Sequence, residues 1–530
     1  MEPRPSLRRD LILLSLTALL LFLPGLGARD LWNPNEPTYG LAVAEMAQHG
    51  EWLIPTVNGE RFVEKPILYF WLGRIATIAA GLNEFALRLP SILAALVSVA
   101  YVFLLGNRLA SRFCGMAAAL MFATSVSIAT SARMIQMDLL ATACVVATVY
   151  HGLIALERPG IRSPWLATGL AAGIGFLAKG PVVWICAAIP LGAAIAIAGE
   201  RPRLPLRSVA LALAAMAAPV AAWIVPLAAT GELGVLRETI LRQNFARFVD
   251  PWDHAQSWWY YLKYLWIELA PWSLLLPLAV GAGPTGQADR KLYRIAWIWL
   301  IGTVVFFSLS GSKRAVYLMP AAPAVALLVA GLAERLFRGT LDATRRRILG
   351  GALVAVSVSM LGAAWAVYGL RERYPSNGTA LTVAAIALCL GAGVLLVTLV
   401  LEGRQRRAAI GFMIVLAALE CGSLGWLAPR ADEFKSARGF AGEVAAVSRG
   451  DAISGYRLWI WRADYHYYLG RRIGRVETPG ALKPIWVGPA RVCLIVEESK
   501  RQEFLATTGP ALPQVSRAVG SKQVELYCNR

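Results

Sequence analysis

The sequence predicts an all-α polytopic membrane protein that carries a small α/β domain at its C-terminus. Of the 530 residues, 57% are hydrophobic and only 16% are charged, whereas a soluble globular protein has about 25% charged residues. Long apolar runs recur along most of the chain, and the composition becomes polar and mixed from about residue 430. These observations favour a membrane domain over 1–429 and a soluble domain over 430–530.

Each apolar run is a candidate membrane helix, because about 20 mostly apolar residues cross a bilayer. About thirteen such runs lie near 11–28, 89–107, 115–132, 139–156, 165–179, 181–198, 208–228, 264–282, 295–310, 315–334, 348–369, 379–401 and 408–428. Only Lys179-Gly180-Pro181 separates the fifth run from the sixth. The first run follows a basic N-terminus, so a cleaved signal peptide is an alternative for it.

Arginine and lysine in the short gaps between runs predict the orientation. Alternate gaps are basic, and the positive-inside rule makes that side cytoplasmic. These gaps include Arg108 and Arg112, Arg158 and Arg162, and the group Arg290, Lys291 and Arg294. The periplasmic side then receives the loops 29–88 and 229–263 and the tail from Pro429. The net charge of +19 therefore reflects membrane orientation, and no nucleic-acid partner is expected.

The loop after the first run carries an ordered set of motifs. It reads Trp32-Asn33-Pro34-Asn35-Glu36, then Gly50-Glu51-Trp52-Leu53-Ile54-Pro55, then Phe62-Val63-Glu64-Lys65-Pro66-Ile67-Leu68-Tyr69-Phe70-Trp71. This loop resembles the first periplasmic loop of the membrane glycosyltransferases that add aminoarabinose to lipid A. Those enzymes belong with the protein mannosyltransferases in the type C glycosyltransferase superfamily. The resemblance covers roughly residues 10–330, and the family keeps the first run as a membrane helix.

The resemblance implies transfer of a sugar from a polyprenyl (undecaprenyl) phosphate donor to a lipid A, glycan or protein acceptor at the periplasmic face of the bacterial inner membrane. The expected fold is the type C glycosyltransferase fold. In the implied reaction an acceptor oxygen attacks the anomeric carbon, a carboxylate takes its proton, and cations stabilise the departing phosphate. Membrane lipids are further expected partners.

Two other classes of membrane protein are alternatives. A lipid-linked sugar flippase or another transporter would place ionisable groups near the midplane of its spans, whereas here they gather at one predicted face. A membrane oligosaccharide polymerase or ligase is the third class, but such a close match of its first loop is not expected.

Three residues, Asn35, Glu36 and Asp138, are candidates for the catalytic site, and only the two carboxylates can act as the base. Judged alone, Asn33-Pro34-Asn35-Glu36 fits a capping box in which Asn33 caps a helix and Glu36 reaches back. The resemblance makes Glu36 the expected base, because relatives usually carry Asp where this chain has Asn35. Asp138 opens a span, where it either complements the helix dipole or pairs with Arg133. The family carries an acid in the corresponding loop, and because Asp138 lies on a different loop from Glu36 we expect it to orient the donor or acceptor.

The resemblance also supplies candidates for binding the donor phosphate and a metal ion. The expected phosphate or donor ligands are Lys65, Lys179, Arg247, Lys313 and Tyr317. Arg247 suits a phosphate because its planar fork binds oxygens bidentately. Lysine snorkelling and interfacial anchoring are the structural alternatives for the lysines and the tyrosine. A divalent metal ion between Glu64 and His254 is the one cofactor that the family suggests.

The polar tail is expected to fold outside the membrane. Its pattern predicts a helix over Phe434–Val447, a buried strand over Val492–Val496, a helix over Ser499–Ala506 and a strand over Val524–Cys528. Cys493 and Cys528 lie on or beside these strands in an oxidising compartment, so we expect them to form a disulfide. The other five cysteines lie in or beside apolar runs and are expected to pack there.

Overall fold

The computed structural model describes residues 7–198, 204–249, 253–281, 287–341, 343–373, 378–400, 405–458 and 463–530. In chain order, the helices up to residue 229 are α1 (Leu7–Phe22), α2 (Glu36–His49), α3 (Leu68–Ala80), α4 (Glu84–Leu109), α5 (Arg112–Ala123), α6 (Val126–Ser131), α7 (Met137–Glu157), α8 (Arg162–Lys179), α9 (Val182–Ala196) and α10 (Leu206–Ala229). They are followed by α11 (Gly234–Leu236), α12 (Arg247–Val249), α13 (Tyr260–Glu268), α14 (Leu276–Gly281), α15 (Gln287–Leu309), α16 (Ala322–Phe337), α17 (Ala343–Arg373), α18 (Gly378–Val400) and α19 (Gln405–Gly422).

The C-terminal helices are shorter and alternate with strands. They are α20 (Ala428–Arg430), α21 (Asp432–Lys435), α22 (Arg438–Ser448), α23 (Ala463–Leu469), α24 (Pro479–Val487) and α25 (Arg501–Thr508). The strands are β1 (Thr56–Val57), β2 (Glu60–Arg61), β3 (Ala452–Tyr456), β4 (Gly474–Val476), β5 (Val492–Glu497), β6 (Val515–Val519) and β7 (Lys522–Cys528). Two π-helical segments, Arg237–Ala246 and Ser423–Leu427, and three 3₁₀ segments, Trp272–Leu275, Ala315–Ala321 and Glu498–Lys500, complete the described elements.

Seven helical stretches among the described residues are long and apolar enough to cross a membrane. They are Glu84–Leu109, Met137–Glu157, Leu206–Ala229, Arg290–Leu309, Ala315–Phe337, Leu353–Glu372 and Ile410–Arg430. Several shorter apolar helices, among them α3, α5 and α9, accompany them. The prediction of a polytopic helical protein is thereby confirmed, while the count of about thirteen spans stays a prediction.

The predicted apolar runs 115–132 and 264–282 are interrupted within their length. The run 115–132 is divided into α5 and α6, because the Thr124 and Ser125 hydroxyls donate to main-chain carbonyls one turn earlier, at 2.7 and 2.9 Å. The Val126 amide meanwhile donates to the carbonyl of Ala270. The run 264–282 is interrupted beside Pro271, since proline has no N–H with which to continue a helix.

Contacts between Cα atoms divide the chain into two compact units. The first unit comprises residues 1–24, 63–69 and 88–427, and the second comprises 25–62, 70–87 and 428–530. The predicted periplasmic loop 29–88 therefore contributes residues to both units. The last segment of the second unit begins close to the predicted domain boundary at 429–430.

Close helix packing fixes α8 in the first unit. α8 packs against α7 and α10, and two of its glycines face α10. A Cβ atom at Gly169 would lie 2.0 Å from the carbonyl oxygen of Ala212, and one at Gly173 would lie 2.2 Å from that of Met216. Only glycine fits at these positions, as is common where membrane helices approach closely. The predicted break after Lys179 is confirmed, because α8 ends there and α9 starts at Val182.

The tail forms a five-stranded mixed sheet in the second unit, with the order β4-β3-β5-β7-β6. β3 pairs in parallel with β4 and β5, and β7 pairs antiparallel with β5 and β6. Phe440 of α22 packs on one face of the sheet and Phe504 of α25 packs on the other. Because β5 is covered on both faces, all of its residues are buried, as a continuous apolar run in a central strand predicts.

The predicted elements of the tail are largely confirmed. The predicted strands correspond to β5 and β7, and the helix predicted at 499–506 corresponds to α25. The helix predicted over Phe434–Val447 is divided between α21 and α22, because Ser436 is extended and its hydroxyl accepts the Arg438 amide at 2.9 Å. Cys493 and Cys528 are direct partners in the β5–β7 register and form the expected disulfide.

Candidate active site

A cavity of about 340 Å³ in the first unit contains most of the predicted phosphate ligands. Its polar lining consists of Glu64, Lys65, Lys179, Gln243, Asn244, Arg247, Ser310, Ser312 and Tyr317. Its apolar lining consists of Pro66, Pro181, Val182, Ile185, Phe245, Phe248, Val249, Phe306 and Phe307. Residues from distant parts of the sequence therefore form one cavity that is both cationic and aromatic.

Lys65 lies in the short connection between β2 and α3, beside Glu64. Its side chain is half-buried on the cavity wall. Burial lowers the pKa of Lys65 to about 8 from an ordinary value of 10.5; Glu64 opposes this shift, while Arg247, Arg314 and Lys179 add to it. Burial is the largest cause of this shift, and repulsion between Lys65 and the three neighbouring cations contributes to it. An anionic ligand would relieve this repulsion.

Lys179 is the last residue of α8 and contacts two other predicted site residues. Its ammonium bonds to a carboxylate oxygen of Asp138, in the first turn of α7, and lies 4.2 Å from the centroid of the Tyr317 ring. Asp138 therefore pairs with Lys179 rather than with Arg133. The next residue, Gly180, has φ +75° and faces Asn244, 3.2 Å from the position of a Cβ atom. Glycine thus allows α8 to end abruptly, so that Lys179 projects into the cavity wall.

Arg247 follows the π-helical segment Arg237–Ala246, and all three nitrogens of its guanidinium contact other side chains. Nε donates to Ser312 Oγ at 3.2 Å, Nη1 donates to Gln243 Oε1 at 3.3 Å, and Nη2 contacts the Asp253 carboxylate at 2.7–2.8 Å. Only 8% of Arg247 is exposed. Because these contacts fix the guanidinium plane, the fork is pre-oriented on the cavity wall.

Lys313 and His254 are not among the residues that line this cavity. The buried Lys313 ammonium donates to the carbonyls of Gln256 and Ser310, and its amide donates to the carbonyl of His254. Burial lowers the pKa of Lys313. These contacts join the segment 254–256 to the segment 310–313, where Ala255 and Ser312 form a β-bridge. A direct phosphate contact by Lys313 stays a prediction.

Glu64 and His254 are the two residues expected to hold a divalent metal ion. Among the described residues, no group of three or more His, Cys, Asp or Glu side chains is placed to hold a metal ion. The exposed His254 has φ +52° and lies 3.9 Å from the Asp253 carboxylate. Burial lowers the pKa of His254, Asp253 opposes the shift, and the nearby cations Arg314, Arg247 and Lys65 reinforce it. These cations would attract a phosphate and repel a divalent metal ion. The proposed mechanism therefore does not use a metal.

Glu36 and Asn35 belong to the second unit, where Glu36 begins α2. The Glu36 carboxylate is fully buried; it lies 2.6 Å from Arg29 Nη2 and accepts the Trp32 amide at 3.3 Å. Asn35 is the N-cap residue, and its side chain makes no capping hydrogen bond. The expected capping by Asn33 is therefore wrong, because the Asn33 amide donates to the Asp464 carboxylate instead. α2 ends at His49, and the following Gly50 has φ +77°.

Side chains from the tail hold the segment that precedes Glu36. Asp432 accepts the Asp30 amide at 2.8 Å and the Trp32 indole N–H at 2.6 Å. The Tyr468 hydroxyl accepts the Leu31 amide at 2.7 Å. The acid loop, defined here as residues 30–36, is therefore bonded within the second unit to residues more than 400 positions away in the chain.

Comparisons with known proteins identify the family. A sequence profile described as dolichyl-phosphate-mannose-protein mannosyltransferase matches residues 64–225. The undecaprenyl phosphate-alpha-4-amino-4-deoxy-L-arabinose arabinosyl transferase of Pseudomonas aeruginosa strain LESB58 is 30% identical over 378 residues, which span 70% of this chain and 67% of that protein. The chain belongs to this arabinosyl transferase family. The arabinosyl transferase of Pectobacterium carotovorum is 30% identical over 374 residues, covering 67% of this chain and 65% of that protein.

Solved structures agree with this assignment at the level of the fold. The structure of ArnT from Cupriavidus metallidurans bound to undecaprenyl phosphate matches with a TM-score of 0.78 at 18% identity and covers 98% of both chains. The apo structure of the same protein matches with a TM-score of 0.76 at 18% identity and covers 99% of both chains. As a member of the arabinosyl transferase family, the protein is a multi-pass inner-membrane glycosyltransferase that depends on a polyprenyl phosphate.

Within this family member, reasoning from the sequence missed residues that support the predicted ligands. Ser312 and Asp253 hold Arg247, yet only their neighbours Lys313 and His254 were predicted. Their positions beside predicted residues gave a weak signal. Asp432 and Tyr468 lie outside the span of the motifs, and nothing local in the sequence marks them as partners of the acid loop.

Proposed function

We propose that the protein transfers 4-amino-4-deoxy-L-arabinose, or a sugar of the same class, from undecaprenyl phosphate to lipid A or another glycan acceptor. The names of the arabinosyl transferase relatives support the donor. The proposal depends on one observation. Lys65, Lys179 and Arg247 line the same cavity as several phenylalanine side chains. A phosphate attached to a hydrocarbon chain is the ligand that matches both kinds of surface.

The cationic residues suit a departing lipid phosphate. Three cations around one phosphate stabilise the charge that grows as the sugar–phosphate bond breaks. Arg247 presents a pre-oriented fork, whereas Lys65 and Lys179 act as point charges. Phe245, Phe306 and Phe307 offer apolar surface to the first isoprene units of the donor. The Tyr317 ring beside Lys179 keeps that ammonium on the wall through a cation–π contact.

Asp138 is the carboxylate that this geometry favours as the base. It is bonded to Lys179, which lines the cavity. When the donor phosphate draws the Lys179 ammonium towards itself, the Asp138 carboxylate loses its counter-ion and becomes available to take the acceptor proton. Phosphate binding and activation of the base are then linked through one lysine side chain.

Glu36 fits a supporting role better than a direct one. Its carboxylate is fully buried and paired with Arg29, so an acceptor hydroxyl does not reach it directly. Its bonds to Arg29 and the Trp32 amide fix the shape of the acid loop. Asn35 then presents a half-buried amide from a fixed loop. We propose that this amide orients the acceptor by hydrogen bonding.

The active site and the tail are proposed to face the periplasm. Positive-inside counting supports this orientation, because the basic gaps fall on the opposite side and an odd number of spans, about thirteen, separates the two termini. A reporter fused after Arg430 should be active only when it is exported. The divalent ion at Glu64 and His254 stays a prediction of the family resemblance, and transfer assays before and after chelation test it.

The proposed donor is tested by comparing undecaprenyl phosphate with undecaprenol in binding measurements on the purified protein. Replacing Lys65 by Gln should weaken binding of the phosphate by about 10-fold to 100-fold, since a charged hydrogen bond contributes about 1.5–3 kcal/mol, and should leave undecaprenol binding unchanged. The exposed Lys263→Gln substitution is the matched control. Mass spectrometry of lipid A from cells with and without the protein identifies the product. Equal binding of phosphate and alcohol would overturn the proposed site.

A further inference from the structure

A second cavity lies in the first unit at the other end of α15. Its volume is about 550 Å³, and Glu157, Arg290, Lys291 and Arg294 form its polar wall. The first cavity contains Phe306 from the opposite end of the same helix. At 1.5 Å per residue, about 24 Å of helix separates Arg290 from Phe306, which approaches the roughly 30 Å thickness of a bilayer core. The two cavities therefore lie near opposite membrane faces.

The charges of the second cavity are unbalanced. Glu157 Oε1 accepts Lys291 Nζ at 2.5 Å, and its other oxygen pairs with Arg108. One carboxylate is thus shared by two cations. Arg290 and Arg294 are exposed, and within the described part of the chain neither has an ion-pair partner. The cavity retains a net positive charge that an external anion would neutralise.

The spacing of the two arginines favours a phosphate group. Residues four apart lie on the same face of a helix, and like charges at that spacing repel each other. An anion between Arg290 and Arg294 removes this repulsion. Guanidinium groups bind phosphate oxygens through paired hydrogen bonds. The polar wall therefore offers a two-arginine clamp beside the Lys291–Glu157 pair.

The remaining wall of the cavity is apolar and belongs to helices that run into the membrane. Leu153 and Leu156 come from α7, Ile195 comes from the C-terminal end of α9, and Ile197 directly follows that helix. Ile195 is exposed in the first unit. A ligand that places a phosphate on the arginines would lay hydrocarbon along these residues. A free phosphate ion would leave this apolar surface uncovered.

We propose that this cavity binds the head group of an anionic phospholipid from the leaflet opposite the active site. Basic cavities between membrane helices on the cytoplasmic side characteristically bind such head groups. Phosphatidylglycerol presents a phosphodiester without a positive charge. Phosphatidylethanolamine adds an ammonium that would face the arginines and repel them. The site therefore discriminates by head-group charge, and it is separate from the sugar-transfer site.

Native mass spectrometry of the full-length protein in detergent tests this proposal. The probes are phosphatidylglycerol and phosphatidylethanolamine with identical acyl chains. We expect the natural protein to retain phosphatidylglycerol preferentially. The double substitution Arg290→Gln/Arg294→Gln should lower phosphatidylglycerol affinity at least about tenfold, because each surface arginine contributes appreciably to anionic-lipid binding. Phosphatidylethanolamine binding should not change.

Two controls make the result specific. The double substitution Arg158→Gln/Arg162→Gln removes the same charge from exposed residues near the same end of the first unit but outside the cavity, and it should leave phosphatidylglycerol binding intact. Thermal unfolding of both variants checks their folding. Equal retention of the two phospholipids by the natural protein, or equal losses in both double variants, would overturn the proposal. Undecaprenyl phosphate that displaces phosphatidylglycerol from the arginines would also overturn it, since the cavity would then take the carrier lipid.

Discussion

The Lys179 ammonium bonds to the Asp138 carboxylate while it stacks 4.2 Å above the centroid of the Tyr317 ring. Lys179 lines the phosphate cavity, and only 8% of Asp138 is exposed. The pair therefore connects a candidate phosphate ligand to a candidate base. The donor phosphate and the Asp138 carboxylate compete for the Lys179 ammonium. Replacing Lys179 and replacing Asp138 should therefore have opposite effects on donor binding.

Asp138→Asn separates binding of the donor from chemistry. We expect transfer to fall about 10²–10⁴-fold, the usual effect of losing a general base. Binding of undecaprenyl phosphate should stay the same or become tighter, because Lys179 loses its competing carboxylate. Lys179→Gln should instead weaken phosphate binding. Equilibrium binding and single-turnover transfer measure the two effects, and a parallel loss of both in Asp138→Asn would contradict the assignment.

The lowered pKa of Lys65 predicts a pH-dependent affinity for the donor phosphate. The ammonium binds phosphate only when it is protonated, and its pKa is about 8 rather than 10.5. In the free protein this charge is therefore present below pH 8 and is lost as the pH rises through 8. We expect undecaprenyl phosphate affinity to decline between about pH 7 and 9 in the natural protein.

Lys65→Arg is the matched comparison for this pH effect, because arginine stays charged throughout that range. Titration of the donor phosphate itself affects both proteins equally. The ratio of the two dissociation constants therefore isolates Lys65. A ratio that does not change between pH 7 and 9 would show that Lys65 does not bind the phosphate.

Arg247→Lys tests whether a guanidinium fork is required. Lysine keeps the positive charge but cannot make the several directed contacts to Ser312, Gln243 and Asp253. We expect phosphate affinity to fall about tenfold, with a similar loss in kcat/KM. The exposed Arg242→Lys substitution is the control and should have little effect. Donor binding by Arg247→Lys at the natural level would remove Arg247 from the phosphate site.

Local sequence patterns predicted the cavity residues better than the contacts among them. Lys65 was identifiable because it lies in the motif Phe62–Trp71, and the family resemblance supplied Lys179 and Arg247. The partner of Asp138 was not identifiable, since Arg133 is closer in sequence and Lys179 becomes adjacent only when α7 packs on α8. The local sequence likewise predicted that Asn33 caps a helix, but its side-chain amide donates to the Asp464 carboxylate instead. Long-range packing decided both cases.

The substitution Glu36→Gln should lower stability more than it lowers donor binding. Glutamine can still accept the Trp32 amide, but it leaves the buried Arg29 guanidinium without its carboxylate. Breaking a buried ion pair from one side typically costs about 3–5 kcal/mol. We expect a lower melting temperature together with reduced transfer. If Glu36→Gln abolishes transfer at unchanged stability, Glu36 rather than Asp138 is the base.

Asn35→Asp is the companion test for the departure from the usual family acid. Position 35 is half-buried at the start of α2, where the helix dipole stabilises a negative charge. If Asn35 only orients the acceptor, the added carboxylate should change KM for the acceptor and leave kcat within a few-fold. A large gain in kcat would show that the natural protein lacks a base at this position. Steady-state transfer kinetics with saturating donor distinguish these outcomes.

The tail is expected to influence catalysis through its hydrogen bonds to the acid loop. Asp432 uses both carboxylate oxygens, one for the Asp30 amide and one for the Trp32 indole. Asp432→Ala removes both bonds, while Asp432→Asn keeps a single acceptor oxygen. If the loop carries the acceptor-orienting residue Asn35, whose position Glu36 supports, Asp432→Ala should lower kcat about tenfold or more. Donor binding should be unchanged, because the phosphate ligands belong to the first unit.

The matched control is Glu433→Ala, which removes a neighbouring exposed carboxylate. Asp432→Asn should have a higher kcat than Asp432→Ala, since one of the two hydrogen bonds survives. If Asp432 contributed only to stability, the two variants would differ in melting temperature without this graded change in kcat. Tyr468→Phe provides an independent check, because it removes only the hydroxyl that accepts the Leu31 amide at 2.7 Å. Transfer by Asp432→Ala and Tyr468→Phe at the natural rate would mean that the tail does not position the acid loop for catalysis.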